Sequence, residues 1–337
     1  MPFIKQLEQY TSVSVVGLDK NVGKTVTLNY ILKQLQKSSK RIALTSIGID
    51  GEGLDQVTQT PKPEIVVYDD MLFVTSEKHY ASKQIISEIC DVSDLRTSLG
   101  RLITARAIGS GKVLLSGPAD TSNLLKVIEH NKTQLDVDLT LVDGALSRMS
   151  LASPVVTDAL VLATGASYSI NLNHLVRQTA YVCQLIDLPG VSDWIQKLLM
   201  FKKSGLWAIT QDQEVKDLGV KSTLLLKQVK EVLFNFGQTV YVSGVVTDRF
   251  MKFLILQKEC KGFTLIVRDF TVLFVSPEVL QQYKRKGGQI QVLFTSNLLA
   301  LTVNPTAPSG YVLDSRKMQD ALYEAIRKPV FNVKELG

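Results

Sequence analysis

The segment from Val13 to Thr25 constrains the fold of this chain more than any other. Its first four residues, Val13 to Val16, form an apolar run that predicts a buried central strand of a parallel sheet. After Thr25, apolar residues recur at helical spacing as far as Leu35, which predicts a helix. A strand, a short turn and a helix therefore follow one another here, which is how an α/β unit begins.

The turn between this strand and helix has the residue types of a phosphate-binding loop. Gly17 and Gly23 let the backbone fold closely, so that its amides can surround phosphate oxygens at the positive end of the helix. Lys24 is expected to reach the β and γ phosphates and act in catalysis, and the Thr25 hydroxyl is expected to coordinate Mg²⁺. The predicted nucleotide contacts of this loop are Gly17, Asn21, Val22, Gly23, Lys24 and Thr25.

The spacing of this loop differs from the common rule, because five residues separate Gly17 from Gly23 where four are usual. The flanking strand and helix nevertheless supply the context that the motif requires. The alternative is a glycine-containing turn with a solvated lysine. That alternative leaves the order Gly-Lys-Thr at a helix start unexplained.

A second strand, Ile42 to Ile47, completes a βαβ unit and leads into an acidic, glycine-rich loop. Loops that leave the carboxyl ends of parallel strands face the ligand in such folds. Asp50, Glu52 and Asp55 are therefore candidates for a metal contact or for orienting a nucleophile, and Asp50 is the one we predict to be catalytic. The alternative is that these carboxylates only solvate a surface loop.

Asp143 stands at the end of the apolar strand Leu139 to Val142 and before a Gly-Ala turn. A carboxylate at this position is where proteins with a phosphate-binding loop hold the Mg²⁺ that bridges the phosphates. We therefore predict Asp143 and Thr25 as the metal-binding pair. The alternative is an aspartate that merely opens the turn.

The predicted fold class is α/β, with a P-loop NTPase-type parallel sheet flanked by helices, β-hairpin insertions and a further α/β half. Residues 1–190 are predicted to form the nucleotide-binding domain, with a strand-rich insert at about 61–111. Residues 191–337 either extend the same sheet or form a second domain. The sequence further predicts a hairpin that turns at Asp69 and Asp70 and a turn at Gly109 to Gly111. It also predicts one long strand from Gln291 to Val303.

The amino-acid composition indicates which kinds of partner and which cellular compartment to expect. The formal net charge is +6, but the basic residues are scattered, so nucleic acid binding is not favoured. Three cysteines, Cys90, Cys183 and Cys260, lie far apart without a CxxC pair, which favours a reducing cytoplasm over a disulfide framework. We expect no membrane association, because no apolar stretch approaches the length of a membrane span.

The two motifs at Gly17 to Thr25 and at Val142 to Ala145 resemble those of the dethiobiotin synthetase branch of P-loop proteins. This resemblance implies a site for Mg-ATP with Lys24, Thr25 and Asp143 in the matching roles. It also implies an asparagine after a late strand that contacts the base, and Asn304 is our candidate. The chain departs from that family after its second strand, where Thr45 to Gly48 replace a Lys-Pro motif.

Over nearly its whole length the chain is similar to KamB-type accessory subunits, which act in the reactivation of lysine 5,6-aminomutase. The segments that carry this likeness are 17–25, 45–52, 142–145 and 302–306. The likeness implies an ATPase that works with a MutS-like subunit to replace inactivated cobalamin on an aminomutase. The alternative function is an ATP-dependent ligase or kinase for a small molecule, in which the loop from Asp50 to Asp55 holds the substrate. Either function uses ATP, or GTP, together with Mg²⁺.

Overall fold

The computed structural model describes residues 2–47, 64–145, 153 and 156–336. The chain divides into two compact units, of which the first comprises Met1–Cys183 and Asn297–Gly337 and the second comprises Gln184–Ser296. The last part of the chain thus belongs with the first part. Among the helices of the described residues, none has both the length and the apolar character that crossing a membrane requires.

Strands and helices alternate along much of the chain. The strands are β1 (Ser12–Gly17), β2 (Ile42–Ser46), β3 (Ile65–Val67), β4 (Leu72–Ser76), β5 (Gln84–Thr97), β6 (Gly100–Val113), β7 (Leu139–Ala145), β8 (Ala159–Gly165), β9 (Leu206–Ile209), β10 (Val215–Asp217), β11 (Thr239–Val242), β12 (Val246–Thr247), β13 (Thr264–Val267), β14 (Leu273–Phe274), β15 (Gln289–Val292), β16 (Leu298–Asn304) and β17 (Val330–Phe331). The helices are α1 (Pro2–Leu7), α2 (Lys24–Leu35), α3 (Glu77–Ala81), α4 (Thr121–Gln134), α5 (Leu172–Ile186), α6 (Asp193–Leu199), α7 (Leu226–Val232), α8 (Asp248–Leu256), α9 (Pro277–Arg285) and α10 (Ser315–Ile326).

The first unit is built on a ten-stranded sheet in the order β17-β16-β8-β1-β7-β2-β4-β6-β3, with β5 paired to β6. Strand β1 lies between β7 and β8 and is parallel to both. The antiparallel pairs of this sheet are those that β6 makes with β3, β4 and β5. The prediction of an α/β fold with a mostly parallel sheet flanked by helices is therefore confirmed.

The central strands are buried on both faces, which explains their uninterrupted apolar sequences. On one face, Val15 and Leu141 belong to the core that contains Leu28 and Ile31 of α2. On the other face, Val142 packs with Leu124 and Ile128 of α4. The burial of each such aliphatic side chain stabilises the folded state by about 1.5–3 kcal/mol. Alternation along β7 thus assigns odd-numbered residues to the α2 face and even-numbered residues to the α4 face.

The predicted hairpin at Asp69 and Asp70 is wrong. Strands β3 and β4 do not pair with each other, because both pair antiparallel with β6 in one continuous register. Ile65 lies opposite Val113, and Leu72 lies opposite Arg106. Asp70 does adopt a left-handed conformation, with φ of 64°. The residue therefore kinks the chain without reversing it.

The predicted turn at Gly109 to Gly111 is also wrong, since these residues lie inside β6. The long strands β5 and β6 form a hairpin that turns at Ser98 and Leu99. A Cβ atom on Gly111 would lie 2.8 Å from the carbonyl oxygen of Gln84. The glycine is therefore explained by the close approach of the neighbouring strand rather than by a turn.

The second unit is a smaller α/β unit with a five-stranded sheet in the order β10-β9-β11-β13-β15. Strands β11, β13 and β15 are parallel, and α8 and α9 connect them. The hydroxyl of the fully buried Tyr283 donates to the carbonyl oxygens of Phe263 and Gln289, at 3.0 and 3.2 Å. The strand predicted from Gln291 to Val303 is in fact two strands, because β15 belongs to this sheet and β16 to the sheet of the first unit.

Candidate functional site

Lys24 and Asp143 meet at the carboxyl end of the central strands of the first unit. Strands β1 and β7 are neighbours, with Val15 opposite Asp143 in register, and α2 begins at Lys24 shortly after β1 ends. The Lys24 Nζ atom lies 2.9 Å from Oδ1 of Asp143, whose side chain is only 3% exposed. Because Asp143 has odd parity along β7, it lies on the α2 face of the sheet. The two residues form a partly buried ion pair.

The loop before Lys24 contains two residues in the left-handed conformation. Asn21 has φ of 59° and Gly23 has φ of 95°. Glycine and asparagine adopt this conformation most readily, which accounts for both residue types. Among the hydrogen bonds between described residues, none has the N–H of Val22, Gly23 or Thr25 as its donor. A cluster of such amides at the start of a helix can bind an anion.

Asn304, at the end of β16, contacts this loop through its side chain. Its Nδ2 atom donates to the carbonyl oxygen of Asn21 at 3.1 Å and to that of Thr306 at 3.1 Å. Its side chain also packs so closely against Gly23 that a Cβ atom there would lie 2.8 Å from the Asn304 Cβ. The resemblance to the dethiobiotin synthetase branch implied that Asn304 contacts a base. In this arrangement its amide group is engaged with the loop.

Two further contacts anchor the loop to the end of β8, and the sequence did not predict them. The N–H of Leu18 donates to the carbonyl oxygen of Ala163 at 2.9 Å, and the Ser167 hydroxyl donates to the carbonyl oxygen of Lys20 at 2.7 Å. Tyr168 follows Ser167, and burial raises the pKa of its phenol, with a smaller contribution from the charge of Asp19. The turn after β8 could be predicted from the sequence. Its contacts with the loop could not, because they depend on β8 lying beside β1.

The oxygen donors at this site suit Mg²⁺. Thr25 is the second residue of α2 and is half-buried, and Asp143 supplies a carboxylate at the neighbouring strand end. Mg²⁺ is commonly held by one or two protein oxygens together with the phosphates of a bound nucleotide. Within the described ranges, no group of three or more His, Cys, Asp or Glu residues could hold a metal ion on its own. The candidate catalytic residue Asp50, with Glu52 and Asp55, lies outside the described residues.

A close backbone contact lies at the end of β2, the strand next to β7 in the sheet. Ser46, the last residue of β2, lies opposite Asp143 in register. A Cβ atom on Gly117 would lie 1.5 Å from the carbonyl oxygen of Ser46, so only glycine fits there. The chain that follows β6 is thereby held against the edge that carries the Lys24–Asp143 pair.

A buried cluster of polar side chains lies at the end of β4. The Nδ1 atom of His79 is 2.8 Å from the Ser116 hydroxyl, which donates to the Ser76 hydroxyl at 3.2 Å. Burial lowers the pKa of His79, and the charge of Lys78 lowers it further. The imidazole is therefore held neutral near pH 7. The sequence pattern did not indicate this cluster, because Ser116 lies 37 positions from His79 along the chain.

The chain was compared with protein-family models, curated proteins and solved structures, and none of the three comparisons gave a match. The geometry of the site and the sequence motifs are therefore the features that indicate a function. Those motifs are the loop from Gly17 to Thr25 and the strand end at Asp143.

Proposed function

We propose that the chain binds a nucleoside triphosphate, ATP or GTP, together with Mg²⁺ at the loop from Gly17 to Thr25. The observation that carries this proposal is the 2.9 Å ion pair between Lys24 and Asp143 at the end of the central strands. It brings together a cation suited to phosphate oxygens and a carboxylate suited to Mg²⁺. The proposed fold type is accordingly that of P-loop NTPases.

The ion pair also suggests how the site accepts its ligand. Without nucleotide, Lys24 neutralises the buried carboxylate of Asp143. With nucleotide, Lys24 turns to the phosphate oxygens, and Asp143 and Thr25 face the metal ion. Both charges stay compensated in both states, which matters because stripping one partner from a buried pair costs about 3–5 kcal/mol. In hydrolysis, Lys24 would stabilise the charge that develops on the transferred phosphoryl group.

We further propose that the protein is an accessory ATPase that acts on a partner enzyme. The resemblance to KamB-type subunits suggests an adenosylcobalamin-dependent aminomutase and a MutS-like subunit as the partners. The β5–β6 hairpin supports a macromolecular partner, because Ile86 and Ile108 face each other across it at 72% and 51% exposure. The alternative, a ligase or kinase resembling dethiobiotin synthetase, needs no such surface.

Equilibrium titration of the purified chain with ATP and with GTP, each with and without Mg²⁺, tests nucleotide binding. We expect saturable binding that is tighter in the presence of Mg²⁺. The proposal would be overturned if neither ATP nor GTP bound. Hydrolysis is then measured alone, with an aminomutase and MutS-like subunit, and with panels of carboxylates and amines. Stimulation by the proteins supports the accessory role, whereas turnover that depends on a small molecule supports the alternative.

A further inference from the structure

Two side chains hold consecutive carbonyl groups of the loop from Gly17 to Thr25. The Ser167 hydroxyl donates to the carbonyl oxygen of Lys20 at 2.7 Å, and the Asn304 Nδ2 atom donates to that of Asn21 at 3.1 Å. Ser167 follows β8, and Asn304 is the last residue of β16. The loop is therefore held by side chains from the ends of two neighbouring strands.

The ends of these two strands are themselves closely joined. Gly165, the last residue of β8, lies opposite Asn304 in register. The N–H of Ala166 donates to the carbonyl oxygen of Asn304 at 2.9 Å, and a Cβ atom on Gly165 would collide with the same oxygen. These backbone contacts fix the positions of Ser167 and Asn304 relative to each other.

A carbonyl group that is held in this way determines where the next amide points. The peptide unit is planar and trans, so its N–H group is directed opposite to its C=O group. The carbonyl of Lys20 shares a peptide unit with the N–H of Asn21, and the carbonyl of Asn21 shares one with the N–H of Val22. These two N–H groups are therefore directed away from Ser167 and Asn304.

The side-chain amide of Asn304 has partners for both of its ends. Besides its bond to Asn21, the Nδ2 atom donates to the carbonyl oxygen of Thr306 at 3.1 Å. The Oδ1 atom accepts from the N–H of Thr306 at 3.4 Å and from the Lys334 ammonium at 3.5 Å. An amide NH₂ group has two hydrogens, and both are used here. Donation from Asn304 to a nucleobase would therefore break one of these bonds.

We propose that Ser167 and Asn304 are positioning residues of the nucleotide site, which direct the N–H groups of Asn21 and Val22 towards the phosphate oxygens. Neither side chain contacts the base or the phosphates. This role rests on the proposed function, because it requires a triphosphate at the loop. It differs from the base contact that the resemblance to the dethiobiotin synthetase branch implied for Asn304. Loss of either side chain should then weaken the binding of any triphosphate, whether or not it carries a base.

Affinities for ATP and for inorganic tripolyphosphate, which has no base, test this role by calorimetry. Asn304→Ala and Ser167→Ala should each weaken both ligands by the same factor, about threefold to tenfold, as expected for one neutral hydrogen bond. Ser167→Thr keeps the hydroxyl and should recover the affinity that Ser167→Ala loses. A loss confined to ATP, or no loss with either ligand, would overturn the proposal.

Two control variants remove hydrogen bonds of the same kind that do not reach the loop. Asn297, just before β16, donates from Nδ2 to the carbonyl oxygen of Asp158 at 2.9 Å, and the Ser169 hydroxyl donates to that of Asn171 at 3.2 Å. Asn297→Ala and Ser169→Ala should leave both affinities unchanged. Losses as large as those of the loop-holding variants would show a general effect on stability and would contradict the positioning role.

The backbone amide resonances of the ligand-free chain give a readout that does not depend on binding. Asn304→Ala should shift the amide resonance of Val22, and Ser167→Ala should shift that of Asn21, whereas the two controls should shift neither. Unchanged resonances would overturn the proposal. If the resonances shifted but the wild type bound neither ATP nor tripolyphosphate, the proposed function would fail, and the two side chains would only support the loop.

Discussion

The ammonium group of Lys24 lies 2.9 Å from the carboxylate of Asp143, and the side chain of Asp143 is almost completely buried. The lysine begins α2 and the aspartate ends the apolar part of β7, so the pair forms only when β7 lies beside β1. A buried carboxylate is stable at neutral pH only with compensation of this kind. The pair therefore links the stability of the sheet edge to the proposed chemistry.

Lys24→Met should weaken triphosphate binding by about tenfold to a hundredfold, because a hydrogen bond between charged groups is lost. Methionine keeps most of the aliphatic stem, so packing changes little. Titration calorimetry with ATP measures the effect, and Lys37→Met, an exposed lysine beyond the end of α2, is the matched control. Affinity equal to that of the wild type would exclude Lys24 from the phosphate contact.

Asp143→Asn should abolish the Mg²⁺-dependent part of nucleotide affinity while leaving metal-free binding at least as strong. Asparagine has the same shape but no charge, and it no longer competes with phosphate for Lys24. The measurement is nucleotide affinity with Mg²⁺ and with a chelator, for the variant and for the wild type. An undiminished effect of Mg²⁺ would show that Asp143 does not hold the metal.

Gly23→Ala should destabilise the chain more than Gly310→Ala. Both glycines have left-handed φ values, 95° and 85°, which cost an alanine about 1–2 kcal/mol. At Gly310 nothing lies within 4 Å of the added Cβ, whereas at Gly23 the Asn304 Cβ would lie 2.8 Å away. The contact should add about 1–3 kcal/mol to the cost at Gly23. Urea denaturation of the two variants gives the difference, and equal losses would show that Asn304 can move aside.

His79 should make the chain less stable as the pH falls below 6.5. Burial lowers the pKa of His79 in the folded state from its ordinary value of 6.5, so the unfolded state takes up the proton first. Stability is therefore fully present above pH 6.5 and is lost as the pH falls from there to the lowered pKa. Denaturation midpoints at several pH values should show this loss in the wild type and less of it in His79→Gln. A His79 resonance that titrates at or above pH 6.5 would contradict the expectation.

The local parts of the site could be predicted from hydrophobic pattern, whereas the grouping of Asp143 with the loop was expected only by analogy with other proteins that have a phosphate-binding loop. The apolar run before Gly17 and the helical spacing after Thr25 are short-range signals, and the structure has β1 and α2 there. The position of Asp143 at the end of an apolar strand likewise indicated it as a candidate site residue. The contact between Lys24 and Asp143 depends on strand order, which hydrophobic pattern does not encode.

The errors in the prediction have the same origin. Asp70 has the backbone conformation of a turn residue, yet pairing with β6 on both sides of it keeps the chain running in one direction. The strands β15 and β16 lie close together in the sequence, with Val292 at the end of one and mostly apolar residues along the other, so they resembled one strand. Only the sheet that each joins distinguishes them.

The hydrogen bond from Asn304 to Asn21 joins residues that are 283 positions apart. During synthesis from the amino end, the loop therefore emerges long before the residue that supports it. The strand β1 and helix α2 can form early, but the loop between them acquires its final support only after β16 has joined the sheet. The order of translation thus delays completion of the proposed nucleotide site until Asn304 has been made.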